Sequence, residues 1–208
     1  MGKKAARFVD AGAPRAGDIT VSSMPCDEPR DSREELEARL RFETLIADLS
    51  SEFVNLPSGD VDRKIEDAQR RVCECLGLDL SALWQWSTET PSVLTLTHLY
   101  RALEGPPTPE RMEAHDDFPW CQQQLLAGRV IAISSLDELP AEACRDRETW
   151  LHFGIKTSLT LPLTAGGGQP LGALSFNTVQ GERTWPEPIV KRLQLIAQIF
   201  TNALARKR

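Results

Sequence analysis

No apolar run in this chain approaches the ~20 residues that cross a bilayer, so direct membrane insertion is not expected. The N-terminus carries Lys3, Lys4 and Arg7 without a following apolar stretch, which is unlike a secretory signal. Five cysteines (Cys26, Cys73, Cys75, Cys121 and Cys144) are an odd number without framework spacing. Reduced thiols in a cytoplasmic setting are the simplest reading. The motifs of common chemistries are also missing. There is no phosphate-binding GxxxxGKS/T loop, no GxGxxG after a strand, no HExxH, no CxxC and no GxSxG elbow. No helix-turn-helix and no phosphoacceptor or ATP-binding box of a histidine kinase is visible. Catalytic residues and metal ligands are therefore not assigned.

What is present fits one compact domain. The chain has 208 residues, 41% hydrophobic and 26% charged, which is ordinary for a soluble globular protein. Its net charge is −6. An acidic balance argues against nonspecific nucleic-acid binding, which works by neutralising phosphates.

Residues 1–33 are rich in Gly, Pro, Asp, Arg and Ala and lack periodicity, the pattern of a disordered tail or linker. Ser32 and Glu35 form a capping box for a helix reaching Val54. A second helix runs from Asp60 to Gly77, with Val61, Ile65, Ala68, Val72 and Leu76 on one face. Cys73 and Cys75 at i and i+2 point apart there and cannot chelate one ion well. Two strands follow, one with Leu80, Ala82, Trp84 and Trp86 on a face, the next with Leu94, Leu96, His98 and Tyr100. Residues 103–117, with Pro106, Pro107 and Pro109, are expected to be a surface loop. Short helices at 118–126 and 141–153 bracket a strand at 129–134. Thr157, Leu159, Leu161 and Leu163 then alternate at period two, and a glycine turn leads to the returning strand 171–177. Pro162 cannot donate to a ladder, so its strand is expected near an edge or bulged. A last helix spans 187–208, with Ile189, Leu193, Ile196, Phe200 and Leu204 as its stripe. This order is α+β with a mostly antiparallel sheet.

The run FGIKTSLTLPL, a Gly-rich turn and PLGALSFN before one terminal helix resemble the end of a GAF domain. RFETLIADLSSEFVNLP at 41–57, CLGLDLSALWQW at 75–86 and FPWCQQQLLAGRVIAISSLDELP at 118–140 are similar to the same family, narrowly to its members in bacterial PAS/GAF sensor histidine kinases. The resemblance covers roughly 35–208. It implies a GAF domain over 34–208, a central sheet of five or six strands, the N- and C-terminal helices on one face, and loops and short helices enclosing a pocket on the other.

That resemblance also implies the functional expectations. The domain would bind an unidentified small molecule and relay through a dimeric helix bundle, beside PAS or kinase domains of a longer chain. The pocket candidates are Trp84, Trp86, Tyr100, Phe118, Trp120, Trp150 and Phe153 as apolar walls, with Gln85, His98, Thr160, Ser175 and Asn177 as polar groups. The dimer candidates are Leu45, Leu49, Phe53, Leu193, Ile196, Phe200 and Leu204. No cofactor is named, since the family's bilin-attachment context is missing around Cys121 and Cys144 and its cyclic-nucleotide Asn-Lys-Phe-Asp-Glu set is missing from the chain. Two other readings stand beside this one. One is a ligand-free dimerisation and relay module. The other is an enzyme similar to the GAF methionine sulfoxide reductases, working through Cys121 and Cys144.

Overall fold

The computed structural model describes residues 30–207 apart from residues 88, 91 and 167. The expected tail at 1–33 lies outside the described residues as far as residue 29, as does Cys26. Helix α1 spans Arg30–Val54. Ser32, expected as its cap, falls within that range. Helix α2, Val61–Leu76, follows a single 3₁₀ turn at Ser58–Asp60.

Six strands make one sheet: β1 (Leu80–Trp86), β2 (Val93–Arg101), β3 (Arg111–Glu113), β4 (Ile131–Ile133), β5 (Thr157–Leu163) and β6 (Gly172–Thr178). Their spatial order is β3-β2-β1-β6-β5-β4, and every neighbouring pair is antiparallel. Strand β3 sits in the segment expected to be loop. Three residues are too few to show an alternation. Strand β4 reaches only Ser158 to Thr160 of β5. Pro162 lies beyond it, on a stretch of β5 with an open edge, so its missing N–H costs no ladder bond.

Helix α6, Glu187–Lys207, and α2 lie against one face of the sheet, and α1 lies across both of them. The last helix meets the sheet as expected, whereas α2 takes the place expected for the first. This second layer is why α1 carries a broad stripe. Phe42, Leu45, Ile46, Leu49 and Phe53 join Leu193, Ile196, Phe200, Leu204 and the sheet residues Leu83, Leu159, Leu161, Leu174 and Phe176 in one core. Phe53 and Phe200 have ring centroids 5.6 Å apart. All seven residues expected at a dimer interface are thus buried within one chain. Periodicity showed that they face something apolar. It could not separate a neighbouring helix of the same chain from a partner.

The ends of the helices are tied together. Arg206 of α6 donates to the carbonyls of Phe53 and Val54 at 2.6 and 2.8 Å, satisfying the orphan acceptors at the end of α1. Lys207 pairs with Asp62 at the start of α2. Gly172 is fixed by close approach: a Cβ there would lie 1.9 Å from the Trp84 carbonyl oxygen. Among the described residues no helix is long and apolar enough to cross a membrane.

Candidate functional site

The other face of the sheet is covered by three short helices: α3 (Ala114–Asp117), α4 (Pro119–Leu126) and α5 (Cys144–His152). Gly154, at φ 71°, ends α5 in a conformation that a side chain would strain, and the chain drops into β5. Helix α4 is held down by a residue from another helix. Asp146 of α5, 0% exposed, accepts hydrogen bonds from the backbone N–H groups of Trp120 at 3.1 Å and Cys121 at 2.8 Å. A carboxylate at these orphan donors meets the positive end of the helix.

Between cap and sheet lies a cavity of ≈ 90 Å³. Strand pairing arranges its floor in rows. The first row runs Arg101 of β2, Leu80 of β1, Asn177 of β6, Ser158 of β5. The next runs Ala82, Ser175, Thr160. Trp84 and Ala173 belong to a third. The walls are Leu94, Met112, Phe118, Leu125, Trp150, Phe153 and Ile155. Phe118 and Trp150 pack with ring centroids 5.4 Å apart.

The polar floor is nearly self-satisfied. Ser158 and Thr160 hydroxyls are 3.1 Å apart. Ser175 Oγ donates to the Ala82 carbonyl at 3.3 Å. It accepts from Asn177 Nδ2 at 3.2 Å. Asn177 Oδ1 is left buried with no hydrogen-bond partner among the described residues.

This architecture has known relatives. A family model for the GAF domain matches residues 60–204.

The chain belongs to the GAF domain family.

No curated protein matches the sequence. Solved structures share the fold at low identity. The phycocyanobilin-bound GAF domain of a cyanobacterial phytochrome superposes with TM-score 0.66 at 16% identity, covering 80% of this chain and 94% of that one. Free methionine-R-sulfoxide reductase from Neisseria meningitidis gives 0.62 at 16% identity, covering 83% and 92%. The blue-light-absorbing PixJ GAF domain of Thermosynechococcus elongatus gives 0.57 at 16% identity, covering 74% and 90%.

In this GAF domain the cavity brings together Trp84, Phe118, Trp150, Phe153, Thr160, Ser175 and Asn177 of the expected residues. Trp86, His98, Tyr100 and Trp120 do not line it, and neither does Gln85. His98 and Tyr100 are displaced by a β-bulge. Trp84 pairs with Leu96 but Leu83 pairs with His98, so Thr97 is an extra residue on β2. Period two breaks there, and both side chains turn to the helix side. Tyr100 packs against the helix core. His98, 3% exposed, places Nε2 3.2 Å from Asp62 Oδ1 and Nδ1 2.9 Å from Thr97 Oγ1. Burial holds its pKa below the ordinary value, and Asp62 pulls the other way without overcoming it. Trp120 packs beside the cap residues with its backbone on Asp146, and Trp86 ends β1 past the cavity.

Arg101, Met112 and Gln122 line the site without having been singled out, and Cys121, named only for the reductase reading, lines it too. For Arg101 a signal existed, since it continues β2 one residue beyond Tyr100, but the bulge hid its face. Cys121 is buried, and burial followed by the neighbouring Asp146 pushes its thiol well above the ordinary range. The other cysteines among the described residues are free: Cys73 is buried with its thiol pushed up to about 12, and Cys75 and Cys144 are exposed. No group of three metal-ligating side chains occurs among the described residues.

Proposed function

We propose that this chain is a sensory domain of a bacterial signalling protein, of the kind found with PAS and histidine kinase modules, working in the cytoplasm. It binds a small molecule between sheet and cap. The observation that carries this reading is the apolar cavity between cap and sheet, lined by Asn177, whose amide oxygen is buried and unpartnered. A buried acceptor left unpaired costs about 1–3 kcal/mol, which an occupant with a donor would recover.

A route to the helices supports the sensory role. Strand β2 presents Arg101 to the cavity and His98 to Asp62, and Asp62 in turn pairs with Lys207 near the end of α6. A ligand that favours one position of β2 would bias the end of α6, provided its affinity differs between the two positions. Homodimerisation falls to other residues than the buried stripe. Leu36 and Leu40 are 55% and 56% exposed on the first turns of α1, and Leu195 is exposed on α6.

A ligand-free relay module is the second reading, favoured by the small cavity volume. A sulfoxide reductase is disfavoured because Cys121, the one cysteine among the described residues that line the cavity, has its thiolate form opposed by burial and by the neighbouring Asp146. Native mass spectrometry of the chain purified from cells tests these readings together. A dimer with added mass is expected; a bare dimer supports the relay, and a bare monomer overturns the bundle.

A further inference from the structure

One row of the sheet places a cation, Arg101, and a buried, unpartnered amide oxygen, that of Asn177, on either side of Leu80 in the cavity floor. Resting on the reading of this cavity as a ligand site, we propose that its occupant is a small monoanionic aromatic acid. Its ring would sit over Leu80, its carboxylate on Arg101, and a hydroxyl or amino donor at the far end would serve Asn177.

Arg101 is the one charged side chain among the described residues that line the cavity. Its guanidinium is held in place. Nη2 donates to Thr108 Oγ1 at 2.8 Å, and the backbone at Gly105 comes so near that a Cβ there would lie 2.5 Å from Nη1. Thr108 is a neutral acceptor, and no carboxylate among the described residues forms an ion pair with Arg101. An oriented guanidinium at the rim of an apolar cavity favours a planar anion, which it can bind through two parallel N–H groups.

On the other side of Leu80 is Asn177, 2% exposed, with Nδ2 donating to Ser175 Oγ and Oδ1 unpartnered. An amide oxygen accepts only, so the group facing it must donate. Arg101 and Asn177 each pair with Leu80 from opposite sides. Strands are spaced about 4.8 Å apart, which puts the two backbones roughly 10 Å apart. One benzene ring with substituents at opposite ends spans that gap once the side chains reach inward. The material between is apolar or aromatic: Leu80, Trp84, Phe118 and Trp150. A cavity of about 150 Å³ holds benzene, and this one measures ≈ 90 Å³, so binding one ring requires the cap to part and the carboxylate to sit at the mouth.

The test uses the full chain and four probes that differ by one group: 4-hydroxybenzoate, benzoate, 4-hydroxybenzyl alcohol and phenol. Binding is measured by calorimetry and located by NMR shifts of the indole N–H signals of Trp84 and Trp150. The expected order puts 4-hydroxybenzoate first, with affinity reduced roughly tenfold to hundredfold when the carboxylate is replaced by the alcohol, the range of a charge-assisted hydrogen bond. Benzoate should lose a smaller factor, roughly threefold to tenfold, for the neutral bond to Asn177. Arg101→Gln should cancel the preference for 4-hydroxybenzoate over the alcohol, and the circular dichroism spectrum of the variant separates a lost contact from a misfolded protein. If the alcohol binds as well as the acid, the anion assignment is overturned while the cavity remains a ligand site. If benzoate matches 4-hydroxybenzoate, the role of Asn177 is overturned. If none of the four moves the Trp84 or Trp150 signals, both the inference and the reading of the cavity as a site for one-ring ligands fall.

Discussion

Asp146 is the residue on which the cavity's cap depends, and its removal should be felt far more than a surface acid's. Asp146→Ala deletes the acceptor of two backbone N–H groups, at 3.1 and 2.8 Å, in a position with 0% exposure. Water cannot replace it without entering the packing of Cys121, Leu125 and Trp150. Each hydrogen bond to a charged group contributes about 1.5–3 kcal/mol, and part of the loss is recovered by relaxation, so we expect about 2–4 kcal/mol of destabilisation. Asp146→Asn keeps one acceptor oxygen but turns an N–H₂ toward the other donor, so it should recover little. The effect should be local before it is global. Hydrogen–deuterium exchange of residues 119–126 should accelerate roughly thirtyfold to several hundredfold, the same free energy read as a rate, while the α1–α2–α6 core keeps its protection. Asp146→Ala with a loss below about 1 kcal/mol and unchanged exchange in α4 would refute the claim that this carboxylate holds the cap.

Three further outcomes follow from the same structure. Gly172→Ala should destabilise the domain by about 3 kcal/mol, because its Cβ meets backbone rather than a movable side chain; thermal denaturation should show a drop of roughly 6–12 °C. His98 should make stability pH-dependent. Its folded-state pKa lies below the ordinary 6.5, so the unfolded chain takes the proton first as pH falls. The stabilisation is complete above about 6.5 and is lost as pH falls from there through the folded-state value. Urea unfolding at a series of pH values should show that slope, and His98→Gln should flatten it. Finally, Leu36→Lys with Leu40→Lys should convert a dimer to monomer in sedimentation velocity while changing monomer stability by less than about 0.5 kcal/mol, since both side chains are exposed; a dimer that persists would move the interface elsewhere.

Local pattern alone determined much of this protein. The alternation of Thr157, Leu159, Leu161 and Leu163 put these side chains on one face, and they do face the helices. The stripes of α2 and α6, the glycine break at Gly154 and the antiparallel return through β6 were legible because each depends on neighbours a few residues apart. The polar set Thr160, Ser175 and Asn177 was legible for the same reason, since strand parity carries through an unbroken strand. Tertiary structure decided what depends on chain segments far apart in sequence. The extra residue at Thr97 exists only relative to the register of β1, and it moved His98 and Tyr100 out of the site and left Arg101 in it. The stripe on α1 announced burial but not against what, because an apolar surface is non-directional in its preference. Asp146 capping α4 joins residues 25 and 26 positions apart, and no local rule marks an acid on one helix as the cap of another.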